Sequence, residues 1–276
     1  MTANSPARRV LKKILYPLIN ERMYQRVQAV AKAWDIRRGT YSEPELDLIP
    51  YAVRQGDAAL DVGANFGLYC YHLSRSLGRG GRVYAFEPVP FTVQTLTRVA
   101  RLLRLRNVEI VPKGCSDHSG EIAFQVPVQE SGALIAGVAY VGGRNDDRDG
   151  KETQVLWAST REVKGKVIAL DEFLPPLERL SLIKMDIEGA EIFALRGAAK
   201  TIDEHLPSVI IEINPWYLDG FNIPLADLTR FFFDRGYELH HYRDGGLHRV
   251  AVEEIVQDNY VFIHPSRRER FAALLK

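Results

Sequence analysis

From residue 58 onward, short apolar runs alternate with amphipathic segments, and this alternation constrains the fold more than any other feature of the sequence. Strands are predicted at 58–62, 83–86, 108–111, 182–185, 208–213, 237–242 and 260–264, and helices at 69–77, 92–105, 191–203 and 224–235. Repeated strand–helix–strand units form parallel sheets whose two faces are covered by helices. The sequence therefore predicts an α/β fold with a Rossmann-like, seven-stranded, mostly parallel sheet.

The length of 276 residues fits one large domain with an appendage. Residues 1–50 are predicted to form an N-terminal helical extension, and residues 51–276 a Rossmann-like domain. A β-rich insertion is expected near 120–170, where residues 121–126 alternate in polarity and can pair with residues 163–170. The highly charged stretch at 144–152 is predicted to be a loop within this insertion.

The overall charge excludes some partners. Lys and Arg number 36 and Asp and Glu number 35, so no global field favours a polyanion, and no nucleic-acid partner is expected. The two cysteines are far apart and suggest neither a disulfide framework nor a zinc site. No apolar run approaches the roughly 18 residues of a membrane-spanning helix, and no signal peptide is recognisable. A cytoplasmic location is the expectation.

Residues 8–36 are predicted to be helical, with a kink at Pro17. Apolar residues fall on one helix face, at Val10, Leu11, Ile14, Leu15, Leu18 and Ile19. Such a helix either packs over the edge of the domain or lies as a basic amphipathic helix on an anionic membrane. Peripheral membrane contact is therefore one expectation for this segment.

The first strand ends in a glycine turn that predicts a ligand site. Gly63 and Gly67 allow a ligand to approach the backbone closely. Asn65 occupies the position where a dinucleotide-binding turn has its middle glycine, so a pyrophosphate is disfavoured. A ligand with an amino-acid tail tolerates this change, and Asp61 is placed to hold the ammonium group of such a tail.

Acidic residues also follow the next two strands. Glu87 ends the second strand, where a carboxylate accepts hydrogen bonds from ribose hydroxyls. Asp117 follows the third strand, where it either accepts a hydrogen bond from an adenine amine or serves only as a turn residue. Together with the glycine turn, this order and spacing favour a nucleoside ligand.

Six segments in this order resemble the FkbM family of S-adenosylmethionine-dependent methyltransferases. They are Asp61-Val-Gly-Ala-Asn-Phe-Gly67, Phe86-Glu-Pro88, Leu170-Asp-Glu-Phe173, Ile183-Lys-Met-Asp-Ile-Glu-Gly-Ala-Glu191, Leu195-Arg-Gly-Ala198 and Pro207-Ser-Val-Ile-Ile-Glu212. The resemblance covers about residues 55–215 and implies a class I methyltransferase fold with S-adenosylmethionine as the methyl donor. It further implies a hydroxyl acceptor on a sugar, glycolipid or secondary metabolite.

Methyl transfer to an alcohol requires alignment of the acceptor with the donor and removal of the hydroxyl proton. Asp186, Glu188 and Glu191 cluster after the fourth strand and are candidates for catalysis or donor binding, although carboxylates also stabilise helix N-termini. Asp186 is the first candidate for either role, and Glu188 is the second. On the sixth strand, His241 of the His240–His241 pair is a candidate base near neutral pH.

A metal is a second means of acidifying the hydroxyl. Asp186, Glu212 and Asn214 would converge if the fourth and fifth strands are neighbours, and hard oxygen ligands of this kind suit Mg²⁺. This set resembles the site of metal-dependent catechol-type O-methyltransferases. The residues therefore predict Mg²⁺ as an optional cofactor.

Alternatives to O-methylation remain open at this stage. Asn214-Pro215-Trp216-Tyr217 resembles the Asn-Pro-Pro-Tyr loop of methyltransferases that modify the nitrogen of a base or amide. Trp216 and Tyr217 either stack on a ring of the acceptor or cover the sheet edge. A nicotinamide-dependent oxidoreductase and a non-catalytic nucleoside-binding module are alternatives of another class. The expected partner is a small-molecule or glycan acceptor.

Overall fold

The computed structural model describes residues 21–128, 139–143 and 159–276. Its strands are β1 (Ala58–Val62), β2 (Arg82–Phe86), β3 (Val108–Val111), β4 (Gly114–Cys115), β5 (Gly120–Val128), β6 (Tyr140–Val141), β7 (Ser159–Ile168), β8 (Leu180–Met185), β9 (Ser208–Ile213), β10 (Glu238–Arg243), β11 (Gly246–Arg249) and β12 (Asp258–Ile263). Its α-helices are α1 (Glu21–Arg38), α2 (Ile49–Ala52), α3 (Leu68–Leu77), α4 (Pro90–Leu103), α5 (Leu170–Phe173), α6 (Glu191–Arg196), α7 (Ala199–His205), α8 (Pro215–Gly220) and α9 (Leu225–Phe233). Short 3₁₀ helices span Pro44–Leu48, Val252–Glu254 and Pro265–Phe271.

The central sheet has the strand order β11-β10-β12-β9-β8-β1-β2-β3. The pairs from β9 to β3 are all parallel, whereas β12 runs antiparallel to both of its neighbours. Strands β1, β8 and most of β9 are buried, because apolar helices cover both faces of this parallel region. This arrangement confirms the predicted Rossmann-like, mostly parallel α/β fold.

Within residues 21–128, 139–143 and 159–276 the central sheet has eight strands, one more than the seven predicted. Asp244 and Gly245 close a tight hairpin between β10 and β11. Asp244 has φ 51° and Gly245 has φ 67°, and positive φ at both turn positions is typical of the two-residue hairpin turn. The additional edge strand β11 follows directly from this turn.

A second, four-stranded sheet has the order β4-β7-β5-β6. Strands β5 and β7 pair antiparallel over their full length, from Gly120 opposite Val167 to Val128 opposite Ser159. These paired strands lie within residues 120–170, where the β-rich insertion was predicted. The loop predicted at 144–152 lies outside the described residues, which include only 139–143 between the two long strands.

The helix predicted over 191–203 is divided into α6 and α7 at Gly197. A side chain at this glycine would overlap the carbonyl oxygen of Ser116. The Gly197 carbonyl accepts a hydrogen bond from the backbone N–H of Asp171 at 2.8 Å. The Asp171 carboxylate in turn accepts the N–H groups of Lys200 and Thr201 and so caps the second helix. Tertiary contacts therefore replace the helical hydrogen bonds that are lost at the break.

Helix α1 packs against α4 on one side of the central sheet. Its inner face contributes Ala29, Ala33 and Ile36 to the larger of the hydrophobic clusters on that side. The residues predicted to form the apolar face at 10–19 and the kink at Pro17 lie outside the described residues. None of the helices within the described ranges is long and apolar enough to span a membrane.

Candidate functional site

A cavity opens at the carboxyl edge of β1, β2 and β8, where parallel sheets bind their ligands. Its volume is about 70 Å³, and the cavity is partly open to solvent. Its polar lining comes from the loops after these strands, and its apolar wall comes from the second sheet. The lining residues are Gly63, Asn65, Glu87, Pro88, Val89, Gly114, Cys115, Ile122, Phe124, Ala139, Val141, Val167, Asp186, Ile187, Glu188 and Ala190.

The turn after β1 presents its backbone and one unpaired side-chain oxygen to this cavity. Gly63 has φ 84°, and a side chain at this position would overlap the carbonyl oxygen of Asp186. Asn65 also has a positive φ, 46°, and its side-chain oxygen is buried without a hydrogen-bond partner within the described structure. A buried acceptor of this kind costs free energy unless a donor reaches it. An ammonium group on a bound ligand would supply that donor.

Glu87 lines the cavity at the end of β2. Its carboxylate accepts the backbone N–H groups of Asn65 at 3.2 Å and of Val89 at 2.9 Å. Burial raises the pKa of this carboxyl to about 7, against the opposing effect of the two N–H groups. A carboxylate has about four acceptor positions, so it retains capacity for ligand hydroxyls. The predicted contact with ribose thus has a suitable acceptor in a suitable place.

Two of the residues predicted to contact the ligand, Asp61 and Asp117, do not line the cavity. Asp61 is 2% exposed and points beneath the turn, where its carboxylate accepts the Cys70 thiol at 3.0 Å. Asp117 bonds to His118 at 2.7 Å and to the Ser116 hydroxyl at 3.3 Å. Neither residue is among those that line the cavity, although Gly114 and Cys115 near Asp117 are. Sequence position located the correct loops but not the side-chain directions.

Asp186 and Glu188 line the cavity after β8, and Glu212 approaches them from the neighbouring strand β9. The Glu212 carboxyl forms a hydrogen bond with Asp186. Burial raises the pKa of Glu212 to about 10, and the negative charges of Asp186 and Glu188 add to this effect. The raised pKa makes Glu212 the donor of this hydrogen bond and the Asp186 carboxylate the acceptor. Asp186 and Glu212 therefore lie together because β8 and β9 are neighbours.

The same geometry does not support the predicted Mg²⁺ site. The side-chain oxygen of Asn214 accepts the N–H groups of Trp216 at 3.1 Å and Tyr217 at 3.4 Å, so it caps helix α8. Glu212 is hydrogen-bonded to Asp186. In the described part of the chain, no three His, Cys, Asp or Glu side chains are grouped to hold a metal ion. The set of Asp186, Glu212 and Asn214 is a hydrogen-bonded cluster with a helix cap.

Glu191 has a structural position beneath the cavity. It is 2% exposed, and its carboxylate accepts the N–H groups of Ile187 at 3.1 Å and Gly189 at 3.2 Å. These bonds fold the turn between β8 and α6, in which Glu188 adopts a positive φ of 59°. Burial raises the pKa of Glu191 to about 7. Glu191 therefore shapes the loop that carries Asp186 and Glu188.

The two histidines of β10 lie far along the sheet from the cavity. Strands β12 and β9 separate β10 from β8. His240 is 1% exposed, and burial lowers its pKa. His241 bonds to Asp258 at 3.0 Å and does not line the cavity. The structure therefore does not bring His241 to the carboxylates that were predicted to act with it.

Lys184 is a buried charge next to this cluster that the sequence analysis did not select. It lies in β8 between Ile183 and Met185 and is 1% exposed. Its ammonium group donates to the Asn259 side-chain oxygen at 2.8 Å and lies 3.7 Å from an Asp186 oxygen. A lysine within an apolar central strand was the available signal, because a buried ammonium requires paired acceptors.

The segment that follows α1 supplies further polar residues to this side of the site. Glu43 accepts the Tyr69 hydroxyl at 2.9 Å, and Glu45 accepts the Asn259 amide at 3.4 Å. Burial raises the pKa of both glutamates, that of Glu45 to about 7. Lys184 thus lies at the centre of a polar network, linked through Asn259 to Glu45. The sequence contains no motif at 41–47 that would have identified these residues.

The buried carboxyls predict an unusual dependence of stability on pH. Glu45, Glu87 and Glu191 have pKa values of about 7, and Glu212 has a pKa of about 10. In the unfolded chain all four ionise near pH 4.5. From about pH 4.5 to 7 the folded protein therefore holds protons on all four carboxyls that the unfolded chain has released, and Glu212 holds its proton up to about pH 10, so stability falls as the pH rises.

The measurement is the melting temperature of the ligand-free protein across this range of pH, which should decrease. The substitution Glu191→Gln removes one of the titrating groups but keeps an oxygen for the two N–H groups. Its melting temperature should decrease less steeply with pH. A melting temperature that is constant or rises between these pH values would contradict the expectation.

Comparison with known proteins gives a consistent classification. A sequence profile described as Methyltransferase FkbM domain matches residues 61–239. The chain is 29% identical over 162 residues to Methyltransferase 1 of Beauveria bassiana (strain ARSEF 2860), covering 56% of this chain and 63% of that protein. It is 27% identical over 199 residues to Methyltransferase sdnD of Sordaria araneosa, covering 65% of this chain and 73% of that protein.

A solved structure of a similar protein is Methyltransferase FkbM from Methylobacillus flagellatus KT. It aligns with a TM-score of 0.47 at 19% identity and covers 87% of this chain and 55% of that chain. This chain therefore spans less than two thirds of the length of the Beauveria and Methylobacillus proteins.

Proposed function

Because the chain belongs to the FkbM methyltransferase family, we propose that it transfers a methyl group from S-adenosylmethionine to a hydroxyl of a small-molecule or glycan acceptor. Membership of a methyltransferase family disfavours the two alternatives of another class, which were a nicotinamide-dependent oxidoreductase and a non-catalytic nucleoside-binding module. The donor would occupy the cavity between the glycine turn after β1 and Glu87. The unpaired oxygen of Asn65 suits the ammonium of its amino-acid tail, and Glu87 suits its ribose.

The observation that carries the choice of a hydroxyl is the pair of carboxyls at the cavity. Asp186 lines the cavity as an acceptor, and Glu212 holds a proton behind it. A carboxylate in this position can take the proton from an alcohol as its oxygen becomes a nucleophile. The ammonium group of Lys184 lies 3.7 Å from the Asp186 carboxylate and forms an ion pair with it.

S-Adenosylmethionine supplies a methyl group already activated by the positive sulfonium. As the acceptor oxygen bonds to the methyl carbon, the carbon–sulfur bond breaks, and its electron pair stays on the sulfur of S-adenosylhomocysteine. Asp186 receives the hydroxyl proton, so the charges balance within the site. The protein contributes alignment of the two substrates, and close alignment is worth several kcal/mol of the barrier.

The contacts of Asn214 favour this proposal over methylation of nitrogen. In the alternative, the Asn214 amide and a backbone carbonyl would accept hydrogens from the amine of the substrate. Here the amide oxygen already accepts two backbone N–H groups of α8. The segment also follows β9, one strand further along the chain than the strand β8 that carries Asp186. The rings of Trp216 and Tyr217 form an edge-to-face pair at this point.

The donor site is tested by titration of S-adenosylhomocysteine into the wild-type protein and the Glu87→Gln variant. Binding should weaken by about 5- to 150-fold, because a ribose hydroxyl loses its charged acceptor at a cost of about 1–3 kcal/mol. Glu109→Gln is the control, since Glu109 is a surface carboxylate on the next strand, paired with Arg82. Equal affinity of the two variants would contradict the assignment of Glu87.

The acceptor class is tested with tritiated S-adenosylmethionine and paired compounds. Each pair consists of a hydroxyl compound, such as a sugar, glycolipid or phenolic metabolite, and an analogue with an amine or hydrogen in place of that hydroxyl. Incorporation only into the hydroxyl member is the expected result. Incorporation into the amines, or into bulk RNA or DNA, would contradict the proposal and favour methylation of nitrogen through the Asn214 segment.

A further inference from the structure

Helix α1 presents a row of large apolar side chains to solvent. Met23, Val27, Val30 and Trp34 are 49%, 48%, 58% and 56% exposed. They are spaced by four, three and four residues, which places them along one face of the helix. In the described part of the chain only eight large apolar residues are exposed, so half of them lie on this face. We call these four residues the outer stripe.

The outer stripe cannot rotate into the protein, because the opposite face of α1 is already packed. Tyr24 contacts Val89 and Phe91 in a small apolar cluster, and Ala33 and Ile36 belong to the main core. The orientation of the helix is thus fixed by its buried side. An exposed apolar patch that is rigidly held marks a contact surface more often than a packing defect.

The charges around the outer stripe are of one sign. From Met23 to the end of the helix, the exposed charged residues are Arg26, Arg37 and Arg38. The only acid in this stretch, Asp35, is 3% exposed and accepts the Thr40 hydroxyl at 3.1 Å. The Arg38 guanidinium lies over the Trp34 ring at 4.1 Å. An apolar face with a tryptophan and flanking arginines is the pattern of helices that lie in a membrane interface.

We propose that the outer stripe of α1 docks the protein on an anionic phospholipid surface. Charge complementarity decides between a membrane and a second copy of the chain. A two-fold dimer through this face would place Arg26, Arg37 and Arg38 against an identical set, because such an interface pairs the same surface with itself. Anionic headgroups would instead neutralise these arginines while the apolar side chains enter the interface.

The docking surface is connected to the active site by the chain that follows it. Lys32 of α1 lies over the rings of Tyr41 and Phe66, at 4.3 and 4.8 Å from their centroids. Phe66 belongs to the glycine turn beside the cavity. Glu43 lies two residues after Tyr41 in the chain and accepts the Tyr69 hydroxyl on this side of the site. Docking would thus hold the site near the lipid surface, which suits an acceptor hydroxyl on a lipid-borne headgroup; this consequence rests on the proposed function.

The experiment is co-sedimentation of the full chain with vesicles of phosphatidylcholine, with and without phosphatidylserine. The wild type should bind the anionic vesicles and should bind the neutral vesicles more weakly. Its binding to the anionic vesicles should decrease as salt is added. The variant Val27→Gln/Val30→Gln/Trp34→Gln should bind at least about tenfold more weakly, because it lacks most of the apolar area that enters the interface. The variant Arg26→Glu/Arg37→Glu should lose the preference for anionic vesicles.

The control is Val256→Gln/Phe233→Gln, which removes exposed apolar residues elsewhere and should bind as the wild type does. Melting curves and titration with S-adenosylhomocysteine show that each variant is folded, independently of lipid. If the wild type binds S-adenosylhomocysteine but no vesicles, the docking proposal is wrong and the proposed function is unaffected. Unchanged vesicle binding by the Val27/Val30/Trp34 variant would also overturn it, as would a lipid-free dimer that this variant dissociates.

Discussion

Asp186→Asn is expected to lower the rate of methyl transfer by about 10²- to 10⁴-fold, the usual contribution of a positioned general base. The side chain is 37% exposed, lines the cavity and accepts the proton of Glu212. An amide of the same shape cannot take a proton from the acceptor. Because the substitution preserves volume, the affinity for S-adenosylhomocysteine should change little. The loss should therefore fall on kcat and not on donor binding.

The measurement is single-turnover methyl transfer with saturating donor, beside a binding titration. Asp234→Asn is a control at an exposed position after α9, and Glu188→Gln tests the other carboxylate of the cavity lining. If Asp186→Asn keeps nearly the wild-type rate while Glu188→Gln loses it, the base is Glu188. If both variants are fully active, a carboxylate base is excluded.

Gly63→Ala is expected to destabilise the protein far more than Gly56→Ala, although the two glycines have similar backbone conformations. Their φ angles are 84° and 89°, so each alanine carries a similar strain of about 1–2 kcal/mol. No atom lies within 4 Å of a side chain built at Gly56, whereas one at Gly63 would overlap the Asp186 carbonyl oxygen. Relief of that overlap requires backbone movement, which costs a further contribution of about 1–3 kcal/mol.

Urea unfolding of the two variants separates these contributions. Gly56→Ala reports the backbone strain alone, and the difference between the variants reports the contact with β8. Gly63→Ala should also weaken S-adenosylhomocysteine binding, because the movement displaces the glycine turn, whose Gly63 and Asn65 line the cavity. Equal losses of stability in the two variants would show that the contact between the turn and Asp186 is unimportant.

The central part of the fold is predictable from sequence for a physical reason. Strands buried on both faces are mostly apolar, so β1, β8 and β9 are visible as apolar runs between turn residues, interrupted only by single polar residues such as Asp61, Lys184 and Glu212. The edge of the sheet is less constrained, and there the hairpin strand β11 was missed. The break at Gly197 was also missed, because it depends on a carbonyl of Ser116 that lies 81 positions earlier in the chain.

The site was predictable to the level of loops. Parallel strands bring their carboxyl ends to one edge, so Glu87, Asp186 and Glu212 could be expected there. The directions of Asp61 and Asp117 could not, because each is set by a local partner, Cys70 for one and His118 for the other. Lys184 and Glu45 were missed since their significance depends on Asn259, which only the folded chain brings between them.

The polar network around Lys184 also has a consequence for the order of events during synthesis. Asn259 lies 75 positions after Lys184 and 214 after Glu45 in the chain. A nascent chain that has already completed β1 to β9 still lacks this amide, and its buried lysine has no such acceptor. Contacts of high sequence separation form late in folding. The polar network beside the cavity is therefore completed only after β12 has emerged from the ribosome and entered the sheet.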